Sequence, residues 1–370
     1  MKAGWQIKAL GDVCDVIGGG TPSKNNADFY TGEIPWATVR DMRSDVIAET
    51  EFGITEAAVK SSATNVIPSG NVVIATRVGL GKVCLLDQDT AINQDLRGIV
   101  PKDGKQLAIR YLFWWLKSIA PVIVAEGRGA TVQGVKLPFV KSLKIPLPPI
   151  PEQKRIIAIL DDAFAGIAKA RVAAEQNRQN ARALFESVLG SVEGETAVLG
   201  DYVTIKTGKL DANAAVEGGI YPFFTCAREI FAIDNFAFDC EAILLAGNNA
   251  VGNFNVKHYS GKFNAYQRTY VITINNKDQL LYRFLYFQML KSLKRFKEQS
   301  LGAGTKFLKL GMIKNLEIAL PSLDEQGRFV STLEAVLEET QKLESLYQRK
   351  LDALDELKQS LLQQAFSGNL

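Results

Sequence analysis

The sequence predicts an α+β protein: two pseudo-repeated mixed α/β domains separated by two long antiparallel coiled-coil helices. Three observations predict it. The stretch LKIPLPPIPEQKRIIAIL (143–160) returns as LEIALPSLDEQGRFVSTL (316–333), with eight identities in eighteen positions at a constant offset of 173. After each copy, apolar residues recur at 4,3 spacing for more than four heptads, the pattern of a coiled-coil seam. Before each copy lie short β-branched runs punctuated by Gly, Asn and Pro, the pattern of strands and turns.

Each element follows from its local chemistry. In the first domain, residues 1–150, NVVIATRVGLGKVCLL, DLRGIVP and LKIPLP read as short strands. IRYLFWWLKSI (109–119) is apolar nearly all round and reads as a buried helix. The first long helix, 151–190, opens with Pro151 and Glu152 in its first turn and stops at Gly190. The second domain, 197–320, repeats the plan with AILLAG, YVITI, LEIALP and the helix LLYRFLYFQMLKSL (280–293). The second long helix, 321–366, opens on Asp324 and Glu325 and stops at Gly368.

The seam of the first helix is Ile156, Leu160, Ala163, Ile167, Ala170, Ala174, Ala181, Leu184 and Val188. That of the second is Phe329, Leu333, Val336, Thr340, Leu343, Tyr347, Leu354, Leu357 and Leu361. Small residues opposite large ones imply that the two helices pack on each other. Asn177 and Lys350, at matching seam positions, are the expected polar register device. At ~1.5 Å per residue, about 38 residues make a rod of roughly 57 Å, expected to hold two domains apart rather than to build a pocket. With a second offset, 171, Gly81, Asn93, Arg97 and Val100 fall on Gly252, Asn264, Arg268 and Val271.

The totals exclude several function classes. No apolar run approaches the roughly 18 residues that span a bilayer. The N-terminus lacks the apolar core of a signal peptide, and a cytoplasmic protein is expected. Cys14, Cys84, Cys226 and Cys240 are scattered without a CxxC spacing and read as small hydrophobes. The single histidine, His258, makes a His-based metal site or proton relay improbable. Phosphate-loop, dinucleotide, hydrolase-elbow and zincin patterns are all missing. The chain reads as non-catalytic.

Net charge is only +3, but unevenly placed: residues 324–358 hold nine acids and five bases, leaving +7 for the rest. Basic, amide and hydroxyl side chains crowd the loops between strands. In the first domain these are Thr21, Ser23, Lys24, Arg40, Arg43, Arg77, Lys82, Asn93, Gln94, Arg97 and Arg128. In the second they are Lys206, Lys209, Asn248, Asn249, Asn253, Lys257, Lys262, Asn264, Gln267, Arg268 and Lys306. Amides pair with adenine edges, and Arg and Lys with guanine or phosphate, so the set suits a nucleic-acid surface.

GGGTPSKNNADFYTGEIPWATVRDM, TRVGLGKVCLLDQDTAINQDLRGIVP, LKIPLPPIPEQKRI and LYQRKLDALDELKQSLLQQAFSG together resemble the DNA-specificity (S) subunit of bacterial type I restriction–modification systems. The resemblance implies two target-recognition domains, each followed by a spacer helix. Each domain would read half of a bipartite site in double-stranded DNA, and the helix pair would set the spacing. Two modification (methyltransferase) subunits would bring S-adenosylmethionine, and restriction (nuclease/translocase) subunits would bring ATP and Mg; this chain would hold no cofactor and meet no membrane. The second domain has KTGKLDANAA where the first has GGGTPSKNNA, so the two are expected to read different sequences. A standalone DNA-binding regulator is the alternative, and an enzyme such as a small-molecule transferase the third class.

Overall fold

In a computed structural model that describes residues 4–127, 134–302 and 304–370, the strand-rich segments and the long helices divide into two units. One comprises Met1–Ala173 and Lys350–Leu370, the other Ala174–Arg349.

The first unit runs β1 (Gln6–Ala9), α1 (Leu10–Val13), β2 (Cys14–Gly18), β3 (Ile34–Ala37), β4 (Val46–Ile47), β5 (Phe52–Ile54), α2 (Glu56–Lys60), β6 (Asn65–Ile67), β7 (Val72–Ala75), β8 (Val83–Leu86), β9 (Thr90–Ile92) and β10 (Leu96–Pro101). It continues through α3 (Ile109–Ser118), α4 (Ala120–Glu126), α5 (Leu137–Ser142) and β11 (Lys144–Leu147) into α6 (Ile150–Gly190). A five-stranded sheet, ordered β2-β10-β7-β8-β4, lies beside a four-stranded one, β5-β3-β9-β6. The expected buried helix is α3: Tyr111 to Leu116 are all buried, and they pack with β7, β8 and the start of α6.

The second unit runs β12 (Glu195–Val198), β13 (Val203–Thr207), β14 (Tyr221–Phe224), β15 (Phe231–Ile233), β16 (Phe238–Ala246), β17 (Asn248–Asn249), β18 (Val256–Ala265) and β19 (Thr269–Ile274). Then come α7 (Tyr282–Gln299), β20 (Lys306–Phe307), α8 (Leu310–Lys314), β21 (Glu317–Leu320) and α9 (Leu323–Ser367). Its main sheet has six strands, β13-β19-β16-β18-β14-β15. The ten-residue β18 covers both β8 and β9 of the first unit, so two sheets there become one here.

The repeated Gln at each domain–helix junction has a geometric cause. Gln153 is fully buried: its Oε1 accepts from Ala108 N at 2.9 Å, and its Nε2 donates to Gln106 O at 2.8 Å and Pro148 O at 2.9 Å. Gln326, equally buried, repeats this with Leu281 N, Gln279 O and Pro321 O, each at 2.9 Å. All four residues of one clip map onto the other at the offset of 173. A second clasp repeats too: Arg110 meets Asp161 at 2.7 Å, as Arg283 meets Glu334 at 2.7 Å.

The long helices pack antiparallel within each unit. In the first, Arg171 meets Asp355 at 2.5 Å and Arg155 donates to Leu370 O at 2.6 Å. In the second, Arg178 donates to Gln348 Oε1 at 2.8 Å, and Thr340 Oγ1 to Ala181 O at 3.3 Å. The seam is narrower than the sequence implies. Leu160, Ile167, Ala174 and Ala181 are buried at strict seven-residue intervals, but Leu184 is 58% exposed and Leu357 47%. Two helices without a third bury one strip each and leave the flanking strip at the edge. Asn177 and Lys350 fall on that flank and are exposed, so they are not the register device; buried Thr340, bonded across the pair to Ala181 O, is a polar seam residue.

The cysteines divide. Cys14 and Cys84 are buried, and burial pushes their thiols up to about 12 and about 11. Cys226 and Cys240 are half-buried. His258 stacks on Tyr282 and its Nε2 sits 3.0 Å from Glu241 Oε1, a packed histidine at the sheet surface.

Candidate nucleic-acid interface

In the first unit, the glycine-rich segment after β2 cannot stray from the strand end it crosses. A Cβ on Gly19 would lie 2.1 Å from Asn93 O, so only glycine permits the approach. The chain beyond it turns outward beside β3 and β9. The Trp36 indole donates to Gly20 O at 3.2 Å, and Tyr30 Oη to Pro22 O at 2.7 Å. Tyr30 and Phe52 both meet Trp36 edge-on. Buried Asp41 holds the following loop by accepting from Thr38 N at 2.7 Å, Thr38 Oγ1 at 3.0 Å and Glu51 N at 2.9 Å.

These constraints enclose a cavity of about 830 Å³, walled by Tyr30, Trp36, Phe52, Val39 and Val78 and rimmed by Thr21, Lys24, Arg40, Asn93 and Gln94. Thr21, Lys24, Arg40 and Gln94 thus converge on one opening, whereas Asn93 is 6% exposed and its amide is held by Asp95 N at 3.0 Å and Asp95 Oδ2 at 3.3 Å, which removes it from the surface set. Arg77 stands beside it, paired with Asp95 at 3.3 Å. Arg97 donates to Gln94 O at 3.0 Å and Leu96 O at 2.8 Å. Burial, reinforced by the charge of Arg77, pulls Arg97 below the ordinary guanidinium range. Ser23 and Arg43 are exposed nearby in sequence. Lys82 lies apart from the cavity lining, its Nζ donating to Met42 O at 3.3 Å. Arg128 lies outside the described residues.

The second unit carries the same scaffold. A Cβ on Gly208 would lie 1.8 Å from Ala265 O, so Gly208 stands where Gly19 does, a counterpart the sequence did not reveal. Arg40 N donates to Thr38 Oγ1 at 3.2 Å, as Ala227 N does to Thr225 Oγ1 at 3.2 Å. Strand pairing then corrects the offset of 171. Arg97 lies opposite Gly18 in β2, and Tyr270 opposite Thr207 in β13. Thr76 N donates to Asp95 O at 2.8 Å, as Gly247 N does to Arg268 O at 2.8 Å. The twin of Asn93 is therefore Tyr266, that of Asp95 is Arg268, and that of Arg97 is Tyr270. The offset of 171 holds for β7 against β16 but returns to 173 by β8, because the second domain has a two-residue longer connection.

Several second-domain candidates serve the domain itself. Asn264 is 4% exposed, with its amide bonded to Asn235 Oδ1 at 2.8 Å and Ala265 N at 2.9 Å, which removes it from the surface set. Lys257 donates to Ala227 O at 2.7 Å and Asn255 Oδ1 at 2.5 Å, and burial lowers its pKa. Asn249 Oδ1 accepts from Val251 N and Asn253 N, both at 3.0 Å. Asn253 Oδ1 accepts from Lys297 Nζ at 3.2 Å. Asn248 and Lys306 belong to the small β17–β20 pair. Lys262 covers the ring of Phe236 at 4.7 Å. Lys206, Lys209, Gln267 and Arg268 remain exposed on the strand ends and loops.

A family model described as the type I restriction modification DNA specificity domain matches residues 2–174 and again 192–351. The chain belongs to this family. It is 39% identical over 181 residues to the type I restriction enzyme EcoDI specificity subunit of Escherichia coli, covering 48% of this chain and 39% of that one. It is 31% identical over 159 residues to the MjaIX specificity subunit of Methanocaldococcus jannaschii, covering 42% and 37%. The matches span about two fifths of the length of these relatives. Among solved structures, the HsdS subunit from Thermoanaerobacter tengcongensis has a similar fold, with TM-score 0.61 at 19% identity, covering 100% of this chain and 98% of that one. A chain from a study of assembly and conformational transition of the type I R-M system has TM-score 0.82 at 19% identity, covering 100% and 99%.

Within this specificity-domain family chain, sequence reasoning found the polar rim of the cavity and missed its aromatic wall. The signal was present in DFY and IPWA, directly after the glycine-rich segment. Among the described residues, no three His, Cys, Asp or Glu side chains gather as metal ligands, and no helix is long and apolar enough to cross a membrane.

Proposed function

We propose that this chain is the non-catalytic DNA-reading subunit of a type I restriction–modification complex in the cytoplasm. Each domain reads one half of a bipartite site in double-stranded DNA, and the paired helices α6 and α9 set the number of unread base pairs between the halves. The observation that carries this reading is the repeated scaffold with exchanged side chains. Gly19 and Gly208 anchor the same loop, while Arg40, Asn93 and Asp95 give way to Ala227, Tyr266 and Arg268. One backbone frame bearing two chemistries suits a reader of two different half-sites.

The surface residues backed for DNA contact are Thr21, Ser23, Lys24, Arg40, Arg77, Gln94, Lys206, Lys209, Gln267 and Arg268. Two modification subunits bind this chain and supply S-adenosylmethionine and the methyl transfer to a base flipped from the duplex. Restriction subunits supply the ATP- and Mg-dependent steps. A standalone regulator would need none of these partners, and the specificity-subunit relatives weigh against it. The test is sequencing of methylated adenines in cells carrying this chain with and without its neighbouring modification subunit. Methylation at one bipartite motif, dependent on both proteins, is expected; a soluble complex that leaves the genome unmethylated would refute the reading.

A further inference from the structure

The matched strand pairing and hydrogen bonds give Arg40 and residues 93–97 of the first unit twins in the second. Most twins differ in chemistry. Gln94 and Gln267 do not: they are the same residue, both exposed, and each is the second residue after a strand of the parallel pair, β9 or β18. Both side chains lean on the loop that follows the anchoring glycine. Thr21 Oγ1 donates to Gln94 Oε1, and Gln267 Nε2 donates to Asp211 Oδ2 at 3.5 Å. An amide oxygen has two lone pairs and an amide nitrogen two hydrogens, so each glutamine keeps an acceptor and a donor free.

We propose that Gln94 and Gln267 are specificity-determining residues of the same kind, each reading an adenine in its own half-site, while the exchange of Asp95 for Arg268 beside them makes the neighbouring base pair differ. The inference rests on the DNA-reading function above and names residues for it. A glutamine amide matches adenine in the major groove, accepting from N6 and donating to N7. The two glutamines are held by loop partners of different type, a hydroxyl and a carboxylate, yet present the same head group. The next residue reverses sign. Asp95 holds the Arg77 guanidinium at 3.3 Å, whereas Arg268 presents its own from the strand-end position.

The test is selection from a randomised duplex library by the full chain, purified with the modification subunits of its own system, followed by sequencing of the bound pool. The wild-type complex is expected to enrich a bipartite motif with an adenine in each half. Gln94→Glu replaces the amide by an acceptor-only carboxylate, which suits the cytosine N4 amino group. It should weaken adenine-bearing duplexes ~10- to 100-fold and move one half towards cytosine, leaving the other half unchanged. Gln267→Glu should do the reverse. The untouched half verifies folding in each variant. A wild-type motif that neither substitution alters would overturn this inference and leave the DNA-reading function standing. A wild-type complex that enriches no bipartite motif would overturn both.

Discussion

A buried glutamine is an uncommon choice at a helix start, and its worth lies in the groups it satisfies. Gln153 meets one backbone N–H and two backbone carbonyls, and Gln326 meets the same three kinds. Removing the amide strands those groups in the interior, at roughly 1–3 kcal/mol each before relaxation. Gln153→Leu is therefore expected to lower stability by about 2–5 kcal/mol. All four tryptophans, Trp5, Trp36, Trp114 and Trp115, belong to the first unit, so the tryptophan signal during urea unfolding reports on it directly. An unchanged midpoint would show that the clip is dispensable. The sequence displayed this residue twice but not its role, because its partners are backbone atoms, two of the three lying 45 and 47 residues away, which no side-chain pattern records.

At the scale of elements, the long helices were legible because identity and heptad spacing persist over many turns. The width of their seam was not, since it depends on how many helices share it. The candidate surface was legible as a list of polar residues and illegible as a shape. Its cavity joins segments near positions 21–40, 52, 78 and 93–95; the pairing of β3 with β9 and with β5 brings Trp36, Phe52 and the 93–95 segment together. The offset of 171 failed for a related reason: matching Asn93 to Asn264 ignores a two-residue difference that strand pairing exposes. For the helices, a direct prediction concerns length. Seven residues inserted after Ala173 and seven after Arg349 keep the heptad phase and the antiparallel pairing on either side. They add about 10.5 Å of helix, or about three base pairs of duplex. The methylated motif should keep both halves with a spacer longer by that amount; the same spacer would end the ruler proposal.

For the whole molecule, the two recognition scaffolds are expected to act independently. Each has its own core, the first built on α3 and the second on α7, and each supplies its own clip and clasp to the long helices. Replacing residues 197–320 with the corresponding domain of another family member should therefore alter one half of the motif only, as read from adenine methylation in cells. A change in both halves would mean that recognition is shared between the scaffolds. The ground for this expectation, an internal duplication, was visible in the sequence. What the duplication could not reveal was which positions correspond, because equivalence here is defined by hydrogen bonds rather than by identical letters.

The clips carry a consequence for heredity. Every partner of Gln153 and Gln326 is a backbone atom, and backbone atoms are the same whatever residue supplies them. The clip is blind to sequence. A crossover between two related genes within either Pro-to-Gln junction would deliver a foreign domain to a helix whose clip accepts it, with the Arg110–Asp161 or Arg283–Glu334 clasp left as a side-chain contact to match. One recombination event would then give a cell a new address on its DNA while the rest of the machinery stayed as it was.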